Sequence, residues 1–313
     1  MGTTTPPAPV TVPPWTNASE LLPRGVATDF VGLIEQTSVV LRLGRVLRMS
    51  EAMEMIPLIA FMPQAEWVNP AYGGRKPASQ IQWTSAQIQA EEVACTVPVP
   101  RAWIMDAHFD VEGQVERALA SAIAYAIDEA VLFGTNAPAS FPVGGVMAFA
   151  DPVTGTDALD AISNGFADIE GKGIVPDGIG AGAAIGAVLR AAYLDANESP
   201  SVAPRNTLWG VPIEQSVVFQ GAAAEAIVGG WQYLAIGIRE DVTFGLSDDG
   251  VLLDSTGAIL ASAFQDNVRL VKVYARIGAA IGQPALATPG AQAPQKPFAA
   301  VTWTATEPAA PAP

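Results

Sequence analysis

Charged side chains are scarce in this sequence. Asp, Glu, Lys and Arg make up 15% of it and hydrophobic residues 50%, against about 25% charged in an average soluble domain. A chain so poor in charge has little with which to cover an exposed surface. Part of its apolar surface is therefore expected to meet other subunits, as in permanent interfaces that resemble a core cut in half. Cysteine is nearly absent as well. Cys95 is the one cysteine, which excludes an intrachain disulfide and any cysteine-based zinc site. Its place in the alternating run Val93, Cys95, Val97, Val99 points to a small buried hydrophobe. His108 is the one histidine, set in MDAHFD just ahead of a helical pattern. No cysteine or plausible serine nucleophile stands beside it, so a loop or capping role is expected rather than catalysis.

Long hydrophobic runs are missing too. The best candidates, such as Ala226 to Ile238, fall well short of the roughly 20 apolar residues that span a bilayer. The opening MGTTTPPAPVTVPPW has neither the basic start nor the apolar core of a secretory signal. The expectation is a soluble protein made in the cytoplasm, with no membrane partner. Positive charge is in deficit, with 16 basic residues against 31 acidic ones and a formal net charge of -15. Sequence-reading nucleic-acid binders carry a basic face that neutralises phosphates, so specific DNA or RNA binding is not expected.

What is present is a clear order of elements. Residues 1–20 and the segment from about Thr288 onward are rich in Pro with Thr or Ala, and are expected to be extended or disordered. In LLPRGVATDFVGLIEQTSVVLRLGRVLRM, Phe30, Leu33 and Ile34 recur at helical spacing and are followed by the strand-like Val39, Val40 and Leu41. Arg42, Arg45 and Arg48 then form either a solvated face or a contact to an acidic neighbour. From Met53 to Pro100 two apolar segments flank the polar NPAYGGRKPASQ, a hairpin pattern with a long tip. Its prolines at 57, 63, 70 and 77 suit a projecting arm or an edge.

The strongest pattern runs from Asp110 to Phe133. Val111, Val115, Ala118, Leu119, Ala122, Ile123, Ala126, Ile127, Ala130 and Val131 form one stripe at the helical period. Asp106 or Asp110 is placed to cap its start, and Gly134 to stop it. About 24 residues make a rod of about 36 Å. Helices are expected near Ala158 to Ile169 and Ala183 to Ala196. Strands are expected at Ile213 to Phe219, Ala226 to Val228, Leu234 to Phe244 and Asn267 to Ile277. Turn signals at Asp249-Gly250 and Ser255 to Gly257 suggest a small hairpin. The class is α+β.

Chemistry-bearing motifs are few. GIGAGAAIG, Gly178 to Gly186, resembles a dinucleotide-binding glycine pattern. The segment before it is only Gly173-Ile174-Val175, broken by Pro176 and Asp177, which favours strand-to-helix packing over a cofactor. Glu91 and Glu92 point to opposite faces of a strand, and Asp248-Asp249 sit in a turn. No catalytic residue, cofactor or metal site is assigned, and the chain is not expected to be an enzyme.

The order of these elements resembles the Hong Kong 97 major capsid family of tailed bacteriophages. TSVVLRLGRVLRM is similar to that family's N-terminal arm entering a hairpin. The stretch from IPLIAFMPQAEWV through VEGQVERALASAIAYAIDEAVLFGT resembles its extended loop, first peripheral strand and spine helix with a Leu-Phe-Gly ending. LWGVPIEQS and AIVGGWQYLAIGIREDVTF resemble axial strands and the return to the peripheral domain, and FQDNVRLVKVYARIGAAIGQPALA its closing strand. The resemblance covers about residues 21 to 288.

It implies an N-terminal arm at 1–48, an extended loop at 49–92, a peripheral domain from 93–137 and 234–276, an axial domain from 138–233 and 277–288, and a Pro/Ala-rich tail at 289–313. The implied function is a self-assembling icosahedral shell enclosing a viral genome, built of hexamers and pentamers in the host cytoplasm. A separate scaffolding protein, a portal and a decoration protein are implied partners. Trp67, Tyr72, Arg75, Lys76 and Trp83 on the loop, with the three arginines, are the expected contacts, since aromatic and Arg residues anchor interfaces. Some relatives join a loop Lys to an Asn with help from a Glu. Lys76 and Asn267 match the partners, but Tyr274 stands where the Glu is expected, so no cross-link is expected. An encapsulin-like compartment is the alternative within the fold, and a dinucleotide-binding enzyme the alternative outside it.

Overall fold

The computed structural model describes residues 38–61, 67–68, 76, 82–107, 111–187, 207–254, 256–283 and 295–303. Its first described element is set by a cap rather than by propensity. Val39–Leu43 is a short helix, α1, where the β-branched pair suggested a strand. The Ser38 hydroxyl accepts from the Leu41 amide at 3.2 Å, and the Asp128 carboxylate accepts from the Val39 and Val40 amides at 3.0 and 3.2 Å. Amides that a helix start leaves without partners are thus satisfied. This tertiary cap outweighs the modest strand preference of two valines.

Strand β1, Arg45–Arg48, follows, then β2, Met53–Phe61, and β3, Gln82–Gln89. The last two pair antiparallel from Met53↔Gln89 to Leu58↔Thr84, which is the expected hairpin. Strand β4, Glu91–Pro100, leads into α2, Arg101–Asp106, and then α3, Val111–Phe133, 23 residues long. Helix α3 ends at Gly134, whose φ of 68° only glycine adopts freely. Asp106 closes α2 instead of capping α3, and Asp110 and His108 lie outside the described residues. Cys95 is half-buried rather than buried.

The chain continues through α4, Gly145–Ala148, β5, Ala150–Gly155, α5, Ala158–Gly171, and β6, Gly178–Ala181. Ala183 to Ala187 begins with tight turns, and the rest of that expected helix lies outside the described residues. Next come β7, Thr207–Leu208, β8, Val211–Gln215, and β9, Ala226–Gly229. Where a strand was expected to reach Phe219, β8 stops at Gln215 and Val217–Phe219 forms a 3-10 turn, because the Ser216 hydroxyl takes the Val218 amide at 3.3 Å. Strands β10, Leu234–Ser247, β11, Val251–Leu253, β12, Ile259–Ser262, β13, Val268–Ile281, and β14, Phe298–Trp303, complete the described fold. Hydrogen bonding orders four of them β1-β10-β13-β4 and six of them β5-β14-β9-β6-β8-β7, with β2-β3 and β11-β12 as hairpins.

Strand β14 corrects the expectation of an unstructured tail. Phe298, Ala299 and Val301 are fully buried. The strand runs parallel to β5 and antiparallel to β9, inside the six-stranded sheet rather than beyond it. Proline-rich composition on either side concealed a six-residue run of strand formers.

Two compact units share the chain. Among the described residues, one takes Val93–Ile123 and Val242–Ala275, and the other takes those of Gln36–Glu92, Ala124–Asp241 and Arg276–Pro313. In the first, β11 and β12 pair from Val251↔Ser262 to Leu253↔Ile259, and Leu252 packs on Ala263, Val268 and Leu270. The Asp254 carboxylate closes the turn by accepting from Thr256 and Ala258 amides, both at 2.8 Å. Asp248 receives Arg269 and Arg101, each at 2.9 Å, and the Arg269 hydrogen bond foremost holds its carboxyl below the usual range.

In the second unit the six-stranded sheet alternates faces with the period of a strand. Ile179 and Ala181 of β6 join Ala161, Ile162, Val228 and Val301 in a core under α5. On the other face, Gly178 and Gly180 make room for Trp231. A Cβ at Gly178 would stand 2.7 Å from the Trp231 ring, and one at Gly180 would stand 3.0 Å from Val39. The glycine run is therefore accounted for by close packing.

Candidate intersubunit surface

Among the described residues, the β2–β3 hairpin has one face packed on its own chain and one left open. On the inner face Ile56, Ala86, Ile88 and Ala90 pack on Met49, Ala235 and Ala280. Two glycines let the hairpin base approach closely: a Cβ at Gly237 would stand 2.8 Å from Ile88, and one at Gly278 would stand 2.5 Å from the Gln89 carbonyl. Strand alternation turns Met53, Met55 and Trp83 to the opposite face. There Met55 is 67% and Trp83 63% exposed. An apolar stripe left open among the described residues makes this face the candidate contact surface. A cavity of about 450 Å³ lies at the root of the hairpin, lined by Arg45, Ile56, Leu58, Tyr233 and Ala280 among others.

The residues expected from sequence separate into three groups. Trp67, 99% exposed, and Trp83 both present their rings outward, and Lys76 is exposed. Tyr72 and Arg75 lie outside the described residues. Arg42 pairs with Glu214 of its own chain at 3.2 Å, so one of its roles is internal, while Arg45 and Arg48 are exposed on β1. Asn267 has a φ of 52°, and its carbonyl accepts from the Arg101 amide at 3.1 Å. The ammonium of Lys272 stands 4.8 Å from the centre of the Tyr274 ring, a cation–π contact. In the first unit a further apolar surface is open, with Val251, Leu253 and Ile259 more than half exposed and Phe264 83% exposed.

Asp128 was missed by the sequence reading. It is fully buried on α3, where it joins the first described segment to the core. Besides the two α1 amides it accepts from the Ser38 hydroxyl at 2.6 Å. Burial raises its pKa, and hydrogen bonds from Ser38, Val39, Val40 and Ser216 offset part of that rise. No sequence signal pointed to it, because the helical period places Asp128 on the face of α3 opposite the apolar stripe.

Comparison with known proteins gives one consistent answer. The phage capsid family model matches residues 19–290. A solved structure from Mycobacterium phage Adephagia superposes with a TM-score of 0.72 at 23% identity, covering 94% of this chain and 99% of that one. One from Microbacterium phage Oxtober96 gives 0.70 at 25% identity, covering 92% and 98%. The capsid of a native GTA particle gives 0.60 at 13% identity, covering 91% and 96%. Curated protein sequences give no match. The last of these neighbours is a capsid protein, and among the described residues no helix is long and apolar enough to cross a membrane. By a family match that spans most of its length, the chain belongs to the phage capsid family and is a structural subunit of a virion shell.

Proposed function

We infer that this subunit builds a Hong Kong 97-type shell, with the β2–β3 hairpin as the extended loop that reaches a neighbouring copy. The observation that carries this reading is the open Met53, Met55 and Trp83 face on a hairpin whose other face is anchored in its own chain. Long α3 serves as the spine of the peripheral domain, and the six-stranded sheet as the axial domain, to which β14 is now added. Hexamers and pentamers then form around the axial domains. A scaffolding protein, a portal and a decoration protein complete assembly in the host cytoplasm, with Tyr72, Arg75 and Lys76 at the loop tip and Arg45 and Arg48 on β1 as further contacts.

The test is to replace Pro63 to Gln80 with a short Gly-Ser turn. The inner hairpin face and both cores stay intact, so the variant is expected to remain soluble with unchanged helix content by circular dichroism. Shells are expected to disappear in negative-stain microscopy. Normal shells would remove residues 63–80 from the intersubunit contact and leave it to Met53, Met55 and Trp83, which the variant keeps, and an unfolded variant would place the segment in the subunit core.

A further inference from the structure

Strand β14 occupies a slot whose every wall is specified. Its backbone pairs with Ala150 to Gly155 on one side and Ala226 to Gly229 on the other. Along the floor, Gly229 has no Cβ because one would stand 2.4 Å from the Phe298 ring, and Gly165 of α5 leaves room for Val301, where a Cβ would stand 3.0 Å away. The Phe298 ring meets Trp231 edge-on at 5.4 Å. Both ends carry polar clamps. At the entrance, Lys296 donates to the Ala150 carbonyl at 3.1 Å and pairs with Asp151 at 3.2 Å. At the exit, the Glu225 carboxylate accepts from the Trp303 amide at 2.9 Å while its own amide donates to the Val301 carbonyl at 3.0 Å. Phenylalanine, two alanines and valine are thus read in one register.

Three facts argue for late filling of this slot. In chain order β14 follows every other strand of its sheet. It is joined to β13 by a stretch rich in Pro, Ala and Gly, QPALATPGAQAPQ, which supplies no apolar stripe of its own. Its partners β5 and β9 are distant in sequence, so the loop must close before any contact rewards it. Until then β5 has no neighbour in the sheet, β9 presents a bare edge, and α5 lacks one of the three strands on which it sits. Bare edges invite wrong pairing.

We propose that β14 is a late-docking closing strand, and that its insertion between β5 and β9 switches the subunit from assembly-incompetent to assembly-competent. The slot is a binding site for a strand of the form Phe-Ala-Ala-Val, filled in the mature subunit by this chain's own residues 298–301. This rests on the shell-building reading above and adds a control step to it.

The experiment starts from the whole chain with a site-specific protease sequence placed between Leu286 and Gly290. Unassembled subunits are cut, and the fragment carrying β14 is expected to co-elute with the rest of the chain in native size exclusion. Mild denaturant is then used to strip the fragment. The remaining chain is expected to form no shells by light scattering and microscopy. A synthetic peptide of residues 295–313 is expected to restore shells at one peptide per chain. The same peptide with Phe298→Ala is expected to need at least about a hundredfold more, from the loss typical of a buried Phe→Ala change. Shells from the stripped chain equal to those of the uncut protein would overturn the proposal. So would a stripped chain that the peptide, present throughout the stripping, does not return to solution and to assembly. An uncut chain that makes no shells under any condition would instead count against the shell reading itself.

Discussion

The six-stranded sheet and the β2–β3 hairpin are built from similar residues and end in opposite situations. In the sheet, Ile179, Ile227, Val228, Phe298 and Val301 are sealed from solvent, because α5 covers one face and α1 with Trp231 covers the other. In the hairpin, Ile88 is sealed while Met55 and Trp83 on the opposite face stay open. Apolar composition alone does not separate these cases. What separates them is whether the chain itself brings a second layer, since a two-stranded hairpin has little independent stability and needs something to lie on.

The comparison is broken most severely by placing a charge in the sealed region. Val301→Asp buries a carboxylate with no partner in the middle of the six-stranded sheet, and is expected to lower stability by more than about 4 kcal/mol. Loss of the cooperative melt and of soluble expression checks it. Asp128→Ala comes next. It leaves the Ser38 hydroxyl and two α1 amides without their acceptor, and is expected to cost about 2–4 kcal/mol in denaturant unfolding.

The pH dependence of that site has a definite sign. A carboxyl whose folded pKa lies above its unfolded value of about 3.9 favours folding when protonated. Its contribution is full below that value and is lost as pH rises through the raised folded pKa. The melting temperature of the natural chain relative to Asp128→Asn is therefore expected to fall between pH 4 and neutrality, and an offset independent of pH would contradict it.

On the open side the stability effects shrink and the assembly effects remain. Met55→Ser with Trp83→Ser is expected to change subunit stability by within about 0.5 kcal/mol, as at other exposed positions, yet to raise the concentration at which shells appear. Equal assembly by light scattering would close the comparison in the sheet's favour. The smallest expected effect is none at all. The resemblance puts Tyr274 where the Glu of cross-linking relatives is expected, and an unperturbed tyrosine pKa of about 10 makes it a poor proton acceptor for a Lys76–Asn267 bond. Mature particles should then run as single-chain bands in boiling denaturant, and a resistant ladder would refute this.

Sequence reading succeeded where the signal is local and periodic. The α3 helix, the hairpin pattern and the Gly134 stop are all written within one element, although Ala118 and Ala122 of the expected stripe are exposed. It failed where distant residues decide. Val39 and Val40 carry a strand preference, and only a carboxylate from α3 makes them helical. Phe298 to Trp303 lies in a Pro/Ala-rich setting that reads as tail, and only the Gly229 and Gly165 cut-outs reveal it as sheet. On the candidate surface, Trp67, Lys76 and Trp83 are exposed, which suits a contact and a solvated role alike. Arg42 was ambiguous because charge type alone does not say whether the acid it meets is its own Glu214.

The placement of the tryptophans has an optical consequence. Trp231 is enclosed by Gly178, Gly180 and Phe298 with no exposed surface, while Trp67 and Trp83 stand in solvent. An aqueous iodide quencher therefore reaches Trp67, Trp83 and the exposed Trp209 in a free subunit and not the core Trp231. Under the proposed hairpin contact, the quenchable share of the emission is expected to fall on assembly while that of Trp231 stays fixed, which would give the chain its own label for following particle formation in real time.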